Sequence, residues 1–173
     1  ATAAQIGERY LLGAVSGDLA TDNDAARLRA AGIPSSAITT GSGCHLDARL
    51  LHDAHHHVGW REMDFFFIEN VGNLVCPAEF DTGAALDVMI LSVPEGDDKP
   101  LKYPLMFSKC DALIVNKTDF LGTPLTDFDL ELLEKRVRKL NREIRIFPLS
   151  SRTGEGIKAW TDWLANMATE HNK

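Results

Sequence analysis

A carboxylate, a glycine and a thiol follow one apolar run in the middle of the chain. The run at residues 65–68, FFFI, predicts a strand buried on both faces, and Glu69, Gly72 and Cys76 come soon after it. An acidic residue and a loop glycine at the C-terminal end of such a strand are typical of Mg²⁺ and γ-phosphate sites. We expect Glu69 to hold Mg²⁺ through water and the Gly72 N–H to meet a phosphate. A strand-end carboxylate beside a turn glycine is the alternative.

A second set of residues suits a softer metal. Cys44, His45 and Cys76 offer two thiolates and an imidazole, which are ligands for Zn²⁺, Ni²⁺ or Cu and not for Mg²⁺. We expect Cys44 at a helix N-terminus, where the helix dipole lowers a thiol pKa. Three ligands leave a position open, which a twofold dimer could complete. Buried structural cysteines are the alternative, and Cys110, between a helix and a strand, is expected in the core.

Acidic and histidine residues cluster in two further places. Asp18, Asp22 and Asp24 follow the first predicted strand and could contact Mg²⁺ or orient water. Asp22 has a simpler alternative role as a helix N-cap. The histidines His52, His55, His56 and His57 end a predicted helix; some could share a face with His45, and a solvated helix end explains them at least as well.

A polar loop with the pattern N-K-x-D follows a later apolar strand. The Asp119 carboxylate can accept from both N1–H and N2–H₂ of guanine, a donor pair that adenine lacks. The Lys117 stem can cover the ring, and Asn116 can tie neighbouring loops together. Ser150 and Ser151 begin a loop of small residues after the next strand, from which a backbone N–H could reach the guanine O6. A surface turn and a helix-entry loop capped by Thr153 are the respective alternatives.

Alternating strands and helices position these loops. We expect strands at 10–15, 36–40, 63–68, 88–93, 112–115 and 144–149, and helices at 22–31, 44–57, 100–109, 127–140 and 157–167. This order predicts a single α/β domain over residues 1–173, with a mostly parallel sheet and helices on both faces. Ligands then bind at the C-terminal ends of the strands.

Composition limits the class of function. The 173 residues carry a net charge of −7 and no long basic block, which argues against nucleic-acid binding. No apolar run approaches the roughly 20 residues that a membrane-spanning helix needs. Three cysteines without a disulfide pattern indicate a reducing cytoplasm with thiols available as ligands.

Taken together, these motifs closely resemble the HypB family, the nickel-incorporation GTPases of [NiFe]-hydrogenase maturation. The resemblance runs along nearly the whole chain and is most specific in the segments 17–27, 40–47, 68–77, 95–100 and 116–119. It implies a P-loop GTPase-like fold of the signal-recognition-like class. It also implies nucleotide-dependent homodimers that hold Ni²⁺ or Zn²⁺ at the subunit interface.

The resemblance assigns roles to individual residues. Cys44, His45 and Cys76 would be the metal ligands, Glu69 the Mg²⁺-side acid and Asp24 the switch I acid. Asn116, Lys117 and Asp119 would bind the base of GTP or GDP. The implied function is a GTP-dependent nickel metallochaperone that works with hydrogenase maturation proteins and the hydrogenase large subunit.

The chain departs from the family pattern in one respect. The phosphate loop G-x-x-x-x-G-K-[ST] does not occur in it, and we expect that loop upstream of Ala1. The chain is then a truncated G domain without its first strand, which binds GTP weakly and hydrolyses it negligibly. Alternatives are a urease nickel GTPase, whose Cys-Pro-His run would need histidine in place of Ala78, and a nucleotide-independent metal-binding or dimerisation module.

Overall fold

The computed structural model describes residues 1–18, 21–41, 43, 45–54 and 58–171. The chain divides into two compact units: an N-terminal unit, mainly residues 2–84, and a C-terminal unit, mainly residues 85–169. Strands and helices alternate in both, so the predicted parallel α/β class is confirmed. The one-domain organisation stays a prediction. No helix in the described part of the chain has both the length and the apolar character needed to cross a membrane.

The N-terminal unit is a three-stranded parallel sheet in the order β2-β1-β3. Its elements are α1 (Thr2–Ile6), β1 (Leu12–Asp18), α2 (Asn23–Ala30), β2 (Ser35–Thr39), α3 (Ala48–Ala54) and β3 (Phe65–Glu69), with 3-10 turns at Trp60–Glu62 and Cys76–Ala78. The register sets Ser16 opposite Glu69 and Asp18 opposite Thr39. The acidic residues at the ends of β1 and β3 therefore lie at the same edge of the sheet.

A close packing contact fixes the loop before α3 against the central strand of this unit. Leu46 is fully buried in a cluster with Val15, Ile38 and Leu51. A Cβ at Gly17 would lie only 2.8 Å from two carbons of the Leu46 side chain. Any larger residue at position 17 would push Leu46 out, so glycine is required there for close approach and not for a turn.

The C-terminal unit is a second three-stranded parallel sheet, in the order β4-β5-β6. Its elements are β4 (Val88–Ser92), α4 (Lys99–Lys102), α5 (Pro104–Lys109), β5 (Ala112–Asn116), α6 (Leu130–Leu140), β6 (Arg145–Pro148) and α7 (Ile157–His171), with 3-10 turns at Val93–Glu95 and Thr118–Phe120. The first four residues of β5 are buried, as expected for an apolar strand with a neighbour on each side.

Several predicted boundaries in the N-terminal unit are wrong. The first strand continues to Asp18, through residues expected to form a loop. The third helix does not start at Cys44: it starts at Ala48, after Asp47, whose side chain accepts from the Leu50 N–H at 2.8 Å as an N-cap. The run at 65–68 is half-buried and not buried on both faces, and β3 is an edge strand of its three-stranded sheet.

Boundaries differ in the C-terminal unit as well. The helix expected at 100–109 is two short helices, since Tyr103 precedes Pro104 and is pushed out of helical geometry. The helix expected from 127 begins at Leu130, where Asp129 accepts from the Leu132 N–H at 2.9 Å. In the fourth strand, Val93 belongs to the following 3-10 turn.

Candidate functional site

The N-K-x-D loop is shaped by an unusual backbone conformation directly after β5. Asn116 is the last residue of the strand, and Lys117 has φ of 63°, the single positive φ among the described non-glycine residues. A non-glycine residue in the left-handed region costs free energy and is held there by its surroundings. The 3-10 turn Thr118–Phe120 follows it directly and contains Asp119.

Asp119 is held by a hydrogen bond from the loop after β6. The Ser150 hydroxyl donates to Asp119 Oδ1 at 2.6 Å, and the Ser150 side chain is fully buried. The same hydroxyl oxygen accepts from the backbone N–H groups of Arg152 and Thr153 at 3.3 and 3.2 Å. One carboxylate oxygen is thus fixed, and the Asp119 side chain keeps 16% of its surface exposed.

Asn116 joins the two loops through its side-chain oxygen. Asn116 Oδ1 accepts from the Lys117 N–H at 2.8 Å and from the Ser151 N–H at 3.0 Å. Thr153 does not cap the final helix; its hydroxyl accepts from the Glu155 N–H at 3.3 Å. The resulting cavity has a volume of about 270 Å³ and is lined by Asn116, Lys117, Asp119, Phe120, Ser151 and Arg152. That these residues contact a guanine base stays a prediction.

The acidic candidates lie in the N-terminal unit. Glu69 ends β3, and its Oε2 accepts from the Ser16 hydroxyl of the neighbouring strand at 2.8 Å. Asp18 ends β1 and accepts from the Thr21 N–H at 3.2 Å. Gly72 has open space around the position of a Cβ. The three residues belong to adjacent strand ends and the loop that follows, as a phosphate-side site requires.

The two other aspartates of this region pair with arginines of α2. Asp24 lies 2.9 Å from the Arg27 guanidinium, on an exposed helix surface. Asp22 occupies the N-cap position of the helix but makes no capping hydrogen bond, and its carboxylate lies 3.3 Å from Arg29. Asp24 as the switch I acid stays a prediction.

Two asparagines organise the loops that carry the soft-metal candidates. Asn70 Oδ1 accepts from the Leu46 N–H at 2.8 Å, which ties the residue after His45 to the end of β3. Asn73 Oδ1 accepts from the Cys76 N–H at 2.9 Å and fixes the start of the Cys76 turn. His45 stacks on Phe80, which follows that turn. The structure therefore brings the His45 and Cys76 segments together.

The metal-ligand set itself is only partly described. Cys44 lies outside the described residues, as do His55, His56 and His57; His45 precedes α3 and His52 is exposed on it. Among the residues that are described, no group of three or more His, Cys, Asp or Glu side chains is arranged for a metal ion. Cys76 is disulfide-bonded, so its use as a thiolate ligand requires the reduced form.

Cys110 has the structural role predicted for it. The residue is a free cysteine with 1% of its surface exposed. Burial raises the pKa of its thiol to about 12, and the carboxylates of Asp87 and Asp111 act in the same direction. A thiol that stays protonated is neither a nucleophile nor a metal ligand near neutral pH.

The sequence analysis missed four residues that shape these sites: Ser16, Asn70, Asn73 and Phe80. The two asparagines lie in the segment 68–77, which contributes to the family resemblance, and side chains that bond nearby backbone groups are typical of loops. The Ser16–Glu69 bond depends on strand register, and the His45–Phe80 contact depends on how two loops meet. Neither leaves a signal in the spacing of residues.

Comparisons with known proteins agree with this arrangement. Residues 4–148 match the family model described as "CobW/HypB/UreG, nucleotide-binding domain". The chain is 50% identical to the hydrogenase maturation factor HypB of Azotobacter vinelandii over 92% of the chain and 52% of that protein. It is 42% identical to the hydrogenase/urease maturation factor HypB of Helicobacter hepaticus over 91% of the chain and 66% of that protein.

A solved structure of a related protein has the same fold. The crystal structure of HypB from Helicobacter pylori in complex with nickel superposes with a TM-score of 0.91 and 38% identity, covering 98% of this chain and 80% of that one. The P-loop GTPase-like fold class is therefore confirmed. The chain spans about half the length of the Azotobacter relative that it matches. By the family model, the sequence identity and the shared fold, the chain belongs to the CobW/HypB/UreG nucleotide-binding family, in its HypB branch.

Proposed function

We propose that the chain is the guanine-nucleotide-binding part of a GTP-dependent nickel metallochaperone for [NiFe]-hydrogenase maturation. One observation carries the nucleotide part of the proposal: Ser150 fixes Oδ1 of Asp119 at 2.6 Å beside a cavity of base size. A carboxylate held in place at the edge of a cavity is prepared to accept hydrogen bonds from a ligand, because its orientation costs little further entropy.

Guanine fits this cavity chemically. Its N1–H and N2–H₂ groups form a donor pair for the Asp119 carboxylate, and adenine offers no such pair at that edge. The aliphatic stem of Lys117 covers one face of the ring. The Ser151 N–H donates to Asn116 Oδ1 in the structure. It is the backbone group that we propose as the donor to the guanine O6. The hydrogen bonds from N1–H and N2–H₂ to Asp119 and the one accepted by O6 would distinguish GTP and GDP from adenine nucleotides, whereas the Lys117 stem would cover either purine.

The acidic residues and the loops of the N-terminal unit supply the rest of the mechanism. Asp18 and Glu69 at the sheet edge suit Mg²⁺, which neutralises phosphate charge when bound. A Cβ at Gly72 would have open space around it, and the Gly72 N–H would meet the γ-phosphate. Asp24 would act in the switch I segment. Loss of the γ-phosphate then relaxes the loop between Glu69 and Cys76.

Nickel is the proposed cargo. Cys44, His45 and Cys76 offer the thiolate and imidazole donors that bind Ni²⁺ or Zn²⁺, provided that the cysteines are reduced. The related HypB of Helicobacter pylori has a crystal structure in complex with nickel. Because three donors leave a tetrahedral site incomplete, we propose a homodimer that completes it. Relaxation of the Cys76 loop would release the metal to a maturation protein or to the hydrogenase large subunit.

A second candidate acceptor is urease. The relatives from Helicobacter are named hydrogenase/urease maturation factors, and one of them is 42% identical to this chain. The chemistry of the carrier is the same for both acceptors, so the metal site does not distinguish them. Nickel transfer assays with apo-hydrogenase and with apo-urease would distinguish the two acceptors.

The base-recognition proposal is tested by Asp119→Asn. An amide keeps an oxygen for the Ser150 hydroxyl but presents N–H₂ to the ligand, which repels the guanine N2–H₂ and suits the C2 carbonyl of xanthine. We expect GDP affinity to fall on the order of 100-fold, since hydrogen bonds to a charged group are worth about 1.5–3 kcal/mol each, and XDP affinity to rise. Isothermal titration of the chain with GDP, XDP and ADP measures both changes.

The control is Asp127→Asn, which alters an exposed aspartate outside the cavity and should leave GDP binding unchanged. If Asp119→Asn binds GDP as well as the unmodified chain, the base-recognition proposal is wrong. If Ni²⁺ binds under reducing conditions while no nucleotide does, the chain is instead a nucleotide-independent metal-binding module.

A further inference from the structure

His45 makes a face-to-face aromatic contact with Phe80. The ring centroids are 3.5 Å apart and the planes are inclined by only 10°, so the rings are nearly parallel. Phe80 is 43% exposed, and its ring face lies against the His45 imidazole. The contact covers one face of the imidazole that we propose as a metal ligand.

The geometry of the stack is compatible with metal binding. The lone pair by which an imidazole nitrogen binds a metal lies in the plane of the ring and points outward from its edge. A ring stacked on one face of His45 does not cover the ring edge at which the two nitrogens lie. It also limits rotation of the imidazole out of its plane, because tilting the ring would break the stack. Metal ligands gain affinity when neighbouring groups fix their orientation in this way.

Phe80 belongs to the same loop as the second predicted ligand. Cys76 begins a 3-10 turn that ends at Ala78, which is 5% exposed and anchors the turn. Asn73 fixes the start of that turn through the Cys76 N–H. Movement of the Cys76 loop would therefore carry Phe80 with it and alter the support of the His45 ring at the same time.

We propose that Phe80 is a positioning residue of the metal site, which fixes the plane of the His45 ring by stacking on it. This inference rests on the proposed nickel site. It adds that the loop after β3 contributes to the site twice, once through the sulfur of Cys76 and once through the ring of Phe80. When the loop moves, the site loses a ligand and the orientation of another together.

The test compares Phe80→Leu with Phe80→Tyr. Leucine keeps apolar bulk but has no ring to stack, whereas tyrosine keeps the ring and places its hydroxyl toward solvent. With the cysteines reduced, we expect Phe80→Leu to weaken Ni²⁺ binding about three- to tenfold, the range that an aromatic pair contributes, and Phe80→Tyr to bind as the unmodified chain does. Titration calorimetry gives the affinity, and the absorption spectrum of bound Co²⁺ reports the ligand geometry.

Two further variants make every outcome decisive. His45→Ala tests the metal site itself, and Phe128→Leu removes a half-buried phenylalanine of the C-terminal unit as a matched control. If His45→Ala weakens binding and Phe80→Leu does not, the role of Phe80 is wrong and the nickel proposal stands. If His45→Ala changes nothing, the nickel proposal itself fails at this residue. Equal losses in Phe80→Leu and Phe80→Tyr would also overturn the inference, since the ring would then not be the cause.

Discussion

Thr118 has a buried hydroxyl oxygen that makes no hydrogen bond. Leaving such a group unpaired costs about 1–3 kcal/mol, and valine has nearly the same shape without the polar atom. We expect Thr118→Val to raise the free energy of unfolding by about 1 kcal/mol. Thr118 does not line the base cavity, so GDP affinity should stay the same. Urea unfolding and calorimetry measure the two effects.

Thr161→Val is the matched control for this substitution. Thr161 is 2% exposed, and its hydroxyl donates to the Lys158 carbonyl at 3.1 Å. Here the same change removes a hydrogen bond that exists, so we expect a loss of about 0.5–1.5 kcal/mol. If both variants lose stability equally, the Thr118 hydroxyl has a partner in solution and the explanation is wrong.

Asn70 links the loop before α3 to the end of β3. Its Oδ1 accepts from the N–H groups of Leu46 and Val71, at 2.8 and 2.9 Å. Asn70→Ala removes the acceptor and leaves the Leu46 N–H unpaired beside a fully buried side chain. We therefore expect faster hydrogen exchange at the Leu46 amide and a loss of about 1–3 kcal/mol in stability.

Asn70→Asp keeps an oxygen in place for both donors, so Leu46 should retain most of its protection. The Leu50 amide is an internal reference, because it donates to Asp47 and does not depend on Asn70. NMR-detected exchange resolves the two amides in one experiment. The link is disproved if Asn70→Ala leaves Leu46 exchange unchanged, or if Asn70→Asp accelerates it as much as alanine does.

Most elements could be predicted from the sequence, and the contacts between them could not. Apolar runs such as 112–115 predict strands well, because a buried parallel strand needs apolar residues at every position. The end of β1 was missed because Ser16, Gly17 and Asp18 resemble a turn, although pairing with β2 and β3 keeps them extended. The start of α3 was missed because either Cys44 or Asp47 could precede a helix, and the structure uses Asp47 as the cap.

The candidate site shows the same contrast between residue types, which the sequence displays, and contacts, which it does not. The residue types at Glu69, Asn116 and Asp119 were sufficient to propose a chemistry for each, and that chemistry stays a prediction. The bonds that hold them join residues far apart in the chain: Ser16 with Glu69, and Ser150 with Asp119, at separations of 53 and 31 residues. Such contacts depend on which strands are neighbours and in what register. A single sequence does not encode that in its local pattern.

Each of the two units places its candidate residues after the C-terminal ends of parallel strands. In the N-terminal unit these are the ends of β1 and β3, with Asp18 and Glu69. In the C-terminal unit they are the ends of β5 and β6, with the N-K-x-D loop and the loop at Ser150. Loops at that end of a parallel sheet are free to vary without disturbing the core, and α/β proteins bind ligands there.

Different loops bind the base and the phosphates, and this predicts how the chain binds and hydrolyses GTP. In P-loop enzymes the backbone and Lys of a G-x-x-x-x-G-K-[ST] run hold the β- and γ-phosphates, and the 173 residues contain no such run. The base loops are present, so we expect weak, guanine-selective binding of GDP and GTP. Hydrolysis, which depends on charge stabilisation at the phosphates, should remain at the rate of buffer with Mg²⁺ alone.

Phosphate release from GTP by the chain, followed over hours and compared with Asp119→Asn, tests this expectation. A contaminating GTPase would give turnover that is equal in the two proteins, because the substitution affects only this chain. Turnover that the unmodified chain shows and Asp119→Asn lacks would belong to this chain. It would mean that the residues present here hold the γ-phosphate without the usual loop, and Glu69 and Gly72 would then be the first residues to substitute.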